Sequence, residues 1–558
     1  MLNLKKEAIF ILVVTFFIGL VTILSFNGDT NKCQPIPNKW RNAGNQMTET
    51  TSVAASDSNT VEQLELKIKY LQQQLQQHKQ QTTDSPFNKI DKLYKENEQK
   101  NIERSNEIKG AMQFAWEKYK QYAWGKDELQ PLTRDHKEWF GLGLSIVDSL
   151  DTLKIMGLEK EYKEGRDWVE FELKQSKNTG MSVSVFETII RVLGSHVTMY
   201  GLTKDKMYLD KAKEMGDLLL YAFPEDGSPF PASSLVLATH QRGYPSWTGG
   251  CVILSEIGTI FLEFNELSKI TGDPKYKEYS DKVVNAISKL RTDKPGLLPV
   301  FLNKEGTGFC NNMISVGGLG DSYYEYLLKM WLYTNGEEEI YKTLFVQSAD
   351  SIIKYMYKVS PKGDGYITSL EGGSPSNRQE HLTCFAGGMF ALAAAANITG
   401  DDEKSRKYME VGEMVTRTCA KAYMITETGL APESYYIDPN NGDIRWHGYS
   451  TLSWYILRPE TVESLFILYR LTGDIQYQDW SWKIFEAIQD VCKKEDGYAG
   501  LKNVDDRNDL DNNQQSFFMA ETMKYLYLSF QPSNVIPLDR YVFNTEAHPI
   551  PMHFTLKN

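Results

Sequence analysis

Residues 256–273 read EIGTIFLEFNELSKITGD, and residues 274–287 read PKYKEYSDKVVNAI. A carboxylate opens an apolar run of helical length, a Gly-Asp turn closes it, and a Lys- and Tyr-rich helix follows. The same plan recurs. Asp148 opens DSLDTLKIMGL, Glu187 opens ETIIRVLGSHVTMYGLT, and Asp321 opens DSYYEYLLKMWLYTNGE. His381 opens HLTCFAGGMFALAAAANITGD, Glu460 opens ETVESLFILYRLTGD, and Glu521 opens ETMKYLYLSF. The turn residues Thr203, Thr271, Asn335, Thr399 and Thr472 stand 68, 64, 64 and 73 residues apart. That period fits two helices with their connections, so the chain reads as an array of helical hairpins. Closed into a ring, seven such hairpins point the first residues of their inner helices at one mouth. A ring of acids around a pocket is a setting for glycoside chemistry.

Composition supports a large globular body. Of 558 residues, 41% are hydrophobic and 12% aromatic, enough for a core with aromatic rings left over for sugar faces. The formal charge of −12 argues against a nucleic-acid partner. Six cysteines, at 33, 251, 310, 384, 419 and 492, include no CxxC pair that would suggest zinc, and in an oxidising lumen one or two disulfides are expected.

The N-terminus belongs to a different environment. Residues 1–7 read as a cytoplasmic tail. Residues 8–26, AIFILVVTFFIGLVTILSF, carry no charge over a length that spans a bilayer. Lys5 and Lys6 place the N-terminus in the cytoplasm, which makes the remainder lumenal in a type II arrangement. A cleaved signal peptide is the rival reading, and its apolar core would be shorter. Residues 27–103 read as a polar stem. Within it Val61, Leu64, Ile68, Leu71 and Leu75 give a short coiled-coil pattern over 61–78, a route to a homodimer. Residues 104–558 form the expected helical domain. GLLPVFLN (296–303), GYITSL (365–370) and GLAPESYYI (429–437) are β-prone pieces that fall just before inner helices.

Cleaving a glycosidic bond takes two carboxyl groups, one to protonate the leaving oxygen and one to attack or to activate water. Glu187, Asp321, Glu460 and Glu521 lie at helix starts, and Glu433 lies on a mouth loop. Acids are also favoured in any first helical turn by the helix dipole, but that does not require Glu in register, unit after unit.

The stretches VSVFETIIRVLG (183–194), DSYYEYLLK (321–329), HLTCFAGG (381–388), LRPETVES (457–464) and VFNTEAHP (542–549) resemble the class I α-1,2-mannosidases, glycoside hydrolase family 47, in family order. The resemblance implies an all-α fold, the (α/α)7 barrel, and a calcium-dependent inverting exo-mannosidase acting on high-mannose N-glycans. It implies that Glu187 is the acid, that Glu460 is the base, and that Asp321 and Glu433 are further essential carboxylates. It implies that Arg191, Arg458 and Phe517 hold the sugar, and that Glu463, Glu521 and Glu546 hydrogen-bond the waters of a Ca2+ whose direct ligand is Thr545. It also implies a Cys384–Cys419 disulfide. Asn397 begins the only N-x-S/T sequon. Leu319, where endoplasmic-reticulum members carry Arg, is the Golgi-type choice, and the expected location is the Golgi membrane with the endoplasmic reticulum as alternative. A lectin of the same fold, or another α-toroid enzyme such as a glucosidase or epimerase, are the competing functions. The intact acids and the RPE and NTEAHP motifs disfavour both.

Overall fold

The computed structural model describes residues 86–177, 181–446 and 452–553. The expected membrane span at 8–26 and the coiled coil at 61–78 lie outside the described residues. Among the described residues no helix is long and apolar enough to cross a membrane.

Seven inner helices touch one another in sequence and close a ring. Leu144–Ile155 packs on Gly194–Thr203, then come Phe261–Thr271, Asp321–Tyr333, Phe385–Ala395 and Glu460–Thr472, and Met523–Ser529 follows. The π-helical turn Phe518–Thr522, just before the last of these, packs back on the first. These helices are buried almost all round; in Asp321–Tyr333, residues 322–330 are all buried. Each large apolar side chain fully removed from water there contributes about 1.5–3 kcal/mol.

The outer layer is Glu159–Phe171, Lys206–Leu219, Lys275–Ile287, Glu339–Ser351, Asp402–Met424 and Ile475–Ala487, each packed on the inner helix before it. The seventh outer helix breaks the rule. Glu98–Ala123, from the start of the domain, pairs with the last inner helix, so an early and a late helix of the domain close the ring together. This helix runs through residue 104, where the sequence suggested a boundary, so the helical domain starts earlier than expected.

The repeated turn has a chemical basis. Thr203, Thr271 and Thr472 each donate from Oγ1 to the carbonyl four residues back, while the same oxygen accepts from the amide of the Asp two residues on. That Asp then accepts from an amide in the first turn of the next helix. Between them the chain turns through the left-handed region, at Gly272 (φ 72°) and Gly473 (φ 69°) without steric cost.

The three β-prone segments form strands. Phe301–Leu302 pairs with Val252–Ile253, Gly365–Ile367 with Tyr357–Val359, and Ser434–Ile437 sits between Arg378–Glu380 and Ile444–Arg445. A last hairpin, Tyr541–Phe543 with Pro549–Pro551, plugs the barrel. Its base meets Tyr333 through the His553 amide, and its tip reaches Tyr326, Glu263 and the carbonyl of Ile190.

Candidate active site

Asp321 and Glu460 are the first residues of their inner helices, as expected. Both follow a leucine in the left-handed region, Leu319 (φ 74°) and Leu457 (φ 70°). Glu187 ends the short helix Val185–Glu187, whose start is capped by Ser184, and a π-helical turn, Thr188–Leu193, follows. Two expected openers lie deeper. Asp148 is inside Leu144–Ile155, and Glu521 is inside the π-helical turn Phe518–Thr522. Such π turns are frequent at functional sites; here they carry Arg191 and Glu521.

Glu460 is held from two sides. His381 Nδ1 lies 2.8 Å from its Oε2, and Arg458 Nη1 is 3.6 Å from its Oε1. His381 Nε2 in turn faces the hydroxyls of Tyr423 at 2.8 Å and Thr461 at 3.2 Å. An ionised carboxylate only accepts, so Nδ1 carries the imidazole proton. Burial pushes the Glu460 carboxyl up, but Arg458 and His381 more than offset it and hold it below the ordinary range. Arg458 also clamps Glu433, with Nε 2.8 Å from one carboxylate oxygen and Nη2 2.8 Å from the other.

On the other side of the mouth, Arg191 donates from Nε to Glu187 at 2.6 Å and from Nη1 to Asp148, Ser516 and Glu546. Phe517, 8% exposed, lies between the two arginines, with guanidinium carbons 5.7 Å (Arg191) and 6.0 Å (Arg458) from its ring. Asp321 stands between these groups in ring order. Burial pushes its carboxyl up to about 7, helped by the negative charges of Glu325, Glu380 and Glu460. The mouth therefore holds one carboxyl poised to stay ionised and one raised into the neutral range, where it is partly protonated.

A family model for glycosyl hydrolase family 47 matches residues 111–552. The chain belongs to that family. It is a glycoside hydrolase, as the motifs implied. It is 44% identical over 459 residues to mannosyl-oligosaccharide alpha-1,2-mannosidase IA of Drosophila melanogaster, covering 81% of this chain and 67% of that one. It is 38% identical over 448 residues to the endoplasmic reticulum mannosyl-oligosaccharide 1,2-alpha-mannosidase of Homo sapiens, covering 78% and 62%. The solved alpha-1,2-mannosidase from Trichoderma reesei superposes with a TM-score of 0.75 at 29% identity, over 81% of this chain and 99% of that one.

Beneath the family 47 mouth the barrel holds more acid than base. Burial pushes Glu463 up to about 8, only partly relieved by Lys329 at 3.8 Å. Burial also raises Glu521 and Glu546 well above the ordinary range; Glu460 and Glu463 repel Glu521, while Asp148 and Glu521 repel Glu546. Thr545 is half-buried at the tip of the plug beside Glu546, its amide donating to Tyr326 Oη at 3.3 Å. Among the described residues no group of three His, Cys, Asp or Glu side chains is arranged to ligate a metal directly. The excess of buried oxygen charge is what a hard cation relieves, so these residues fit calcium held mainly through water.

Several site residues were legible only as helix openers, as Asp148, Glu256 and His381 were, or not at all. His381 was legible only as a helix opener, yet it carries Glu460. Ser516 and Asp148 hold Arg191, and Glu325 pairs with Lys329. Glu256 lies at the mouth, raised to about 7 by burial. The Cys384–Cys419 bridge is present, and a second, Cys251–Cys310, joins cysteines whose pairing was left unassigned. Cys492 is a buried thiol, and Cys33 lies outside the described residues. Asn397 is exposed at its turn, its side-chain oxygen accepting from Ser405 at 2.9 Å.

Proposed function

We propose that this family 47 hydrolase is a calcium-dependent, inverting exo-α-1,2-mannosidase that trims high-mannose N-glycans from Man9 towards Man5. The observation that carries the reading is the contrast between Glu460, held below the ordinary carboxylate range, and Asp321, raised to about 7. An inverting enzyme needs one ionised and one protonated carboxyl, with a water beside the ionised one. Glu460 takes the proton of that water as it attacks the anomeric carbon. His381 and Arg458 fix the direction from which it does so.

Glu187 stands across the ring from Glu460, on the side where the glycosidic oxygen leaves. Glu187 is read as the carboxyl that delivers the proton to that oxygen, with Asp321, raised to about 7, as a further participant in acid catalysis. Arg191, Arg458 and Phe517 line the space between and hold the terminal mannose. Glu433, pinned by Arg458, fixes the guanidinium rather than taking part in proton transfer. Thr545, with Glu463, Glu521 and Glu546 around the ion's waters, would hold calcium, which would supply positive charge for sugar hydroxyls.

The named relatives support a secretory-pathway setting. The apolar run at 8–26 is read as a type II anchor, 61–78 as a stem pairing surface, and the Golgi membrane as the location because Leu319 offers no donor at the cleft. The exposed Asn397 is read as a glycan acceptor. The test is release of free mannose from a Man9 N-glycan by the purified lumenal part, with and without chelator. Chelator-sensitive release supports the reading, and no release from folded, calcium-loaded protein removes it.

A further inference from the structure

Asp321, Glu325 and Lys329 stand four residues apart on the inner helix Asp321–Tyr333, so they share one face of it. Lys329 lies two turns past Asp321, about 12 Å at helical rise. Its ammonium donates to Glu325 on its own helix and stands 3.8 Å from Glu463 on Glu460–Thr472. Those two helices are not neighbours in the ring, because Phe385–Ala395 packs between them. Lys329 therefore links two inner helices across the barrel interior. Lys329, Glu325 and Glu463 are all buried, so water screens their charges little.

Nothing else nearby does the work of this ammonium. Among the described residues, no second Lys or Arg lies within ion-pair distance of Glu325 or Glu463. Arg191 serves other acids, Glu187, Asp148 and Glu546. A pocket of about 20 Å³ lies against Lys329 and Glu463, and its other walls are apolar side chains and Tyr541. Glu463 is also one of the acids read above as facing the waters of calcium. One carboxylate thus faces both cations.

We propose that Lys329 is a positioning residue for the calcium site, holding Glu325 and Glu463 in place and balancing part of the charge that calcium would balance. This rests on the calcium reading above. A buried carboxylate that loses its partner is strongly destabilising. Without Lys329 that strain falls hardest on the calcium-free protein, since a bound divalent ion relieves the same acids. Like charges also repel, so removing the ammonium favours the ion. Both effects widen the stability difference between the two forms. A side chain that only filled space would lower both forms alike.

The experiment measures melting temperatures in calcium and in chelator for the natural protein, for Lys329→Met, and for Lys329→Met/Glu325→Gln, which restores the natural net charge. The expected result is a calcium–chelator gap about twice the natural one in the single variant, and a gap close to the natural one in the double variant. Equal gaps in the natural protein and Lys329→Met overturn the role of Lys329 while leaving the calcium reading intact. No gap in the natural protein overturns both. If Lys329→Met does not fold even in calcium, the double variant decides: a folded protein with a near-natural gap supports charge balance, and failure to fold overturns it.

Discussion

His381 Nδ1 sits 2.8 Å from Oε2 of Glu460, so the histidine just ahead of one inner helix orients the carboxylate that opens the next. Glu460→Gln keeps the shape but cannot accept a proton from water. It lowers kcat by about 10²–10⁴-fold with an unchanged circular dichroism spectrum. Near-natural turnover in the purified variant rejects Glu460 as the base. His381→Ala removes one of the groups that lower the Glu460 carboxyl. The acid limb of the kcat/KM profile therefore moves to higher pH; an unmoved limb rejects the coupling.

Asp321 sets the alkaline side. Its carboxyl, raised to about 7, is protonated below that pH and ionised above it. Activity that needs this proton falls as pH rises through about 7, and Asp321→Asn abolishes that limb along with most of the rate. The same shift bears on stability. The folded value exceeds the unfolded one, so the relative stabilisation is full at acid pH and is lost as pH rises through about 7. Asp321→Asn therefore melts higher than the natural protein at pH 8. A lower melting temperature there contradicts the burial argument.

The proposed calcium would link activity to stability. A ligand that binds only the folded state stabilises it by mass action, about 2.7 kcal/mol at a hundredfold excess over Kd. Chelation lowers the melting temperature and readdition restores it, while Thr545→Ala blunts both responses. Identical melting curves in chelator and in calcium rule out a bound ion.

Buried charge in the plug gives a stability test away from the sugar. His548 lies 3.2 Å from Asp148 and 3.0 Å from Asp151, all three fully buried, with Lys524 2.8 Å from Asp151. His548→Ala leaves buried carboxylates under-partnered and costs about 3–5 kcal/mol in urea unfolding. A loss below 1 kcal/mol shows that the plug is not held by this network.

The proposed Golgi-type trimming rests on Leu319. Its left-handed backbone (φ 74°) carries an apolar side chain at the entrance to the Asp321 helix. Leu319→Arg adds a planar fork of donors and shifts a Man9 digest from progressive trimming towards accumulation of one Man8 isomer. An unchanged product series removes this position from branch selection.

The ring of hairpins was legible because the apolar runs, Gly turns and capping Thr-x-Asp pattern repeat with each unit. Closure was not, because Glu98–Ala123 pairs with a helix some 400 residues later and carries no mark of that partner. Asp321 and Glu460 could be placed since both truly start helices. Asp148 and Glu521 sit further in because helix entry depends on preceding backbone that periodicity does not reveal. The Cys251–Cys310 bridge joins residues 59 apart, and cysteine counting leaves such pairings open. The motif resemblance, rather than spacing, singled out Thr545, since the proposed ligand set, made mostly of water, would leave little pattern in the chain.

The most direct test of the central claim is the anomeric form of the first mannose released. Proton NMR of a fresh digest of Man9 N-glycan by the purified lumenal part follows it before mutarotation. Water activated by Glu460 attacks the face opposite the departing oxygen, so the account predicts β-mannose first, with α-mannose appearing only as the sugar equilibrates. Initial release of α-mannose would contradict it.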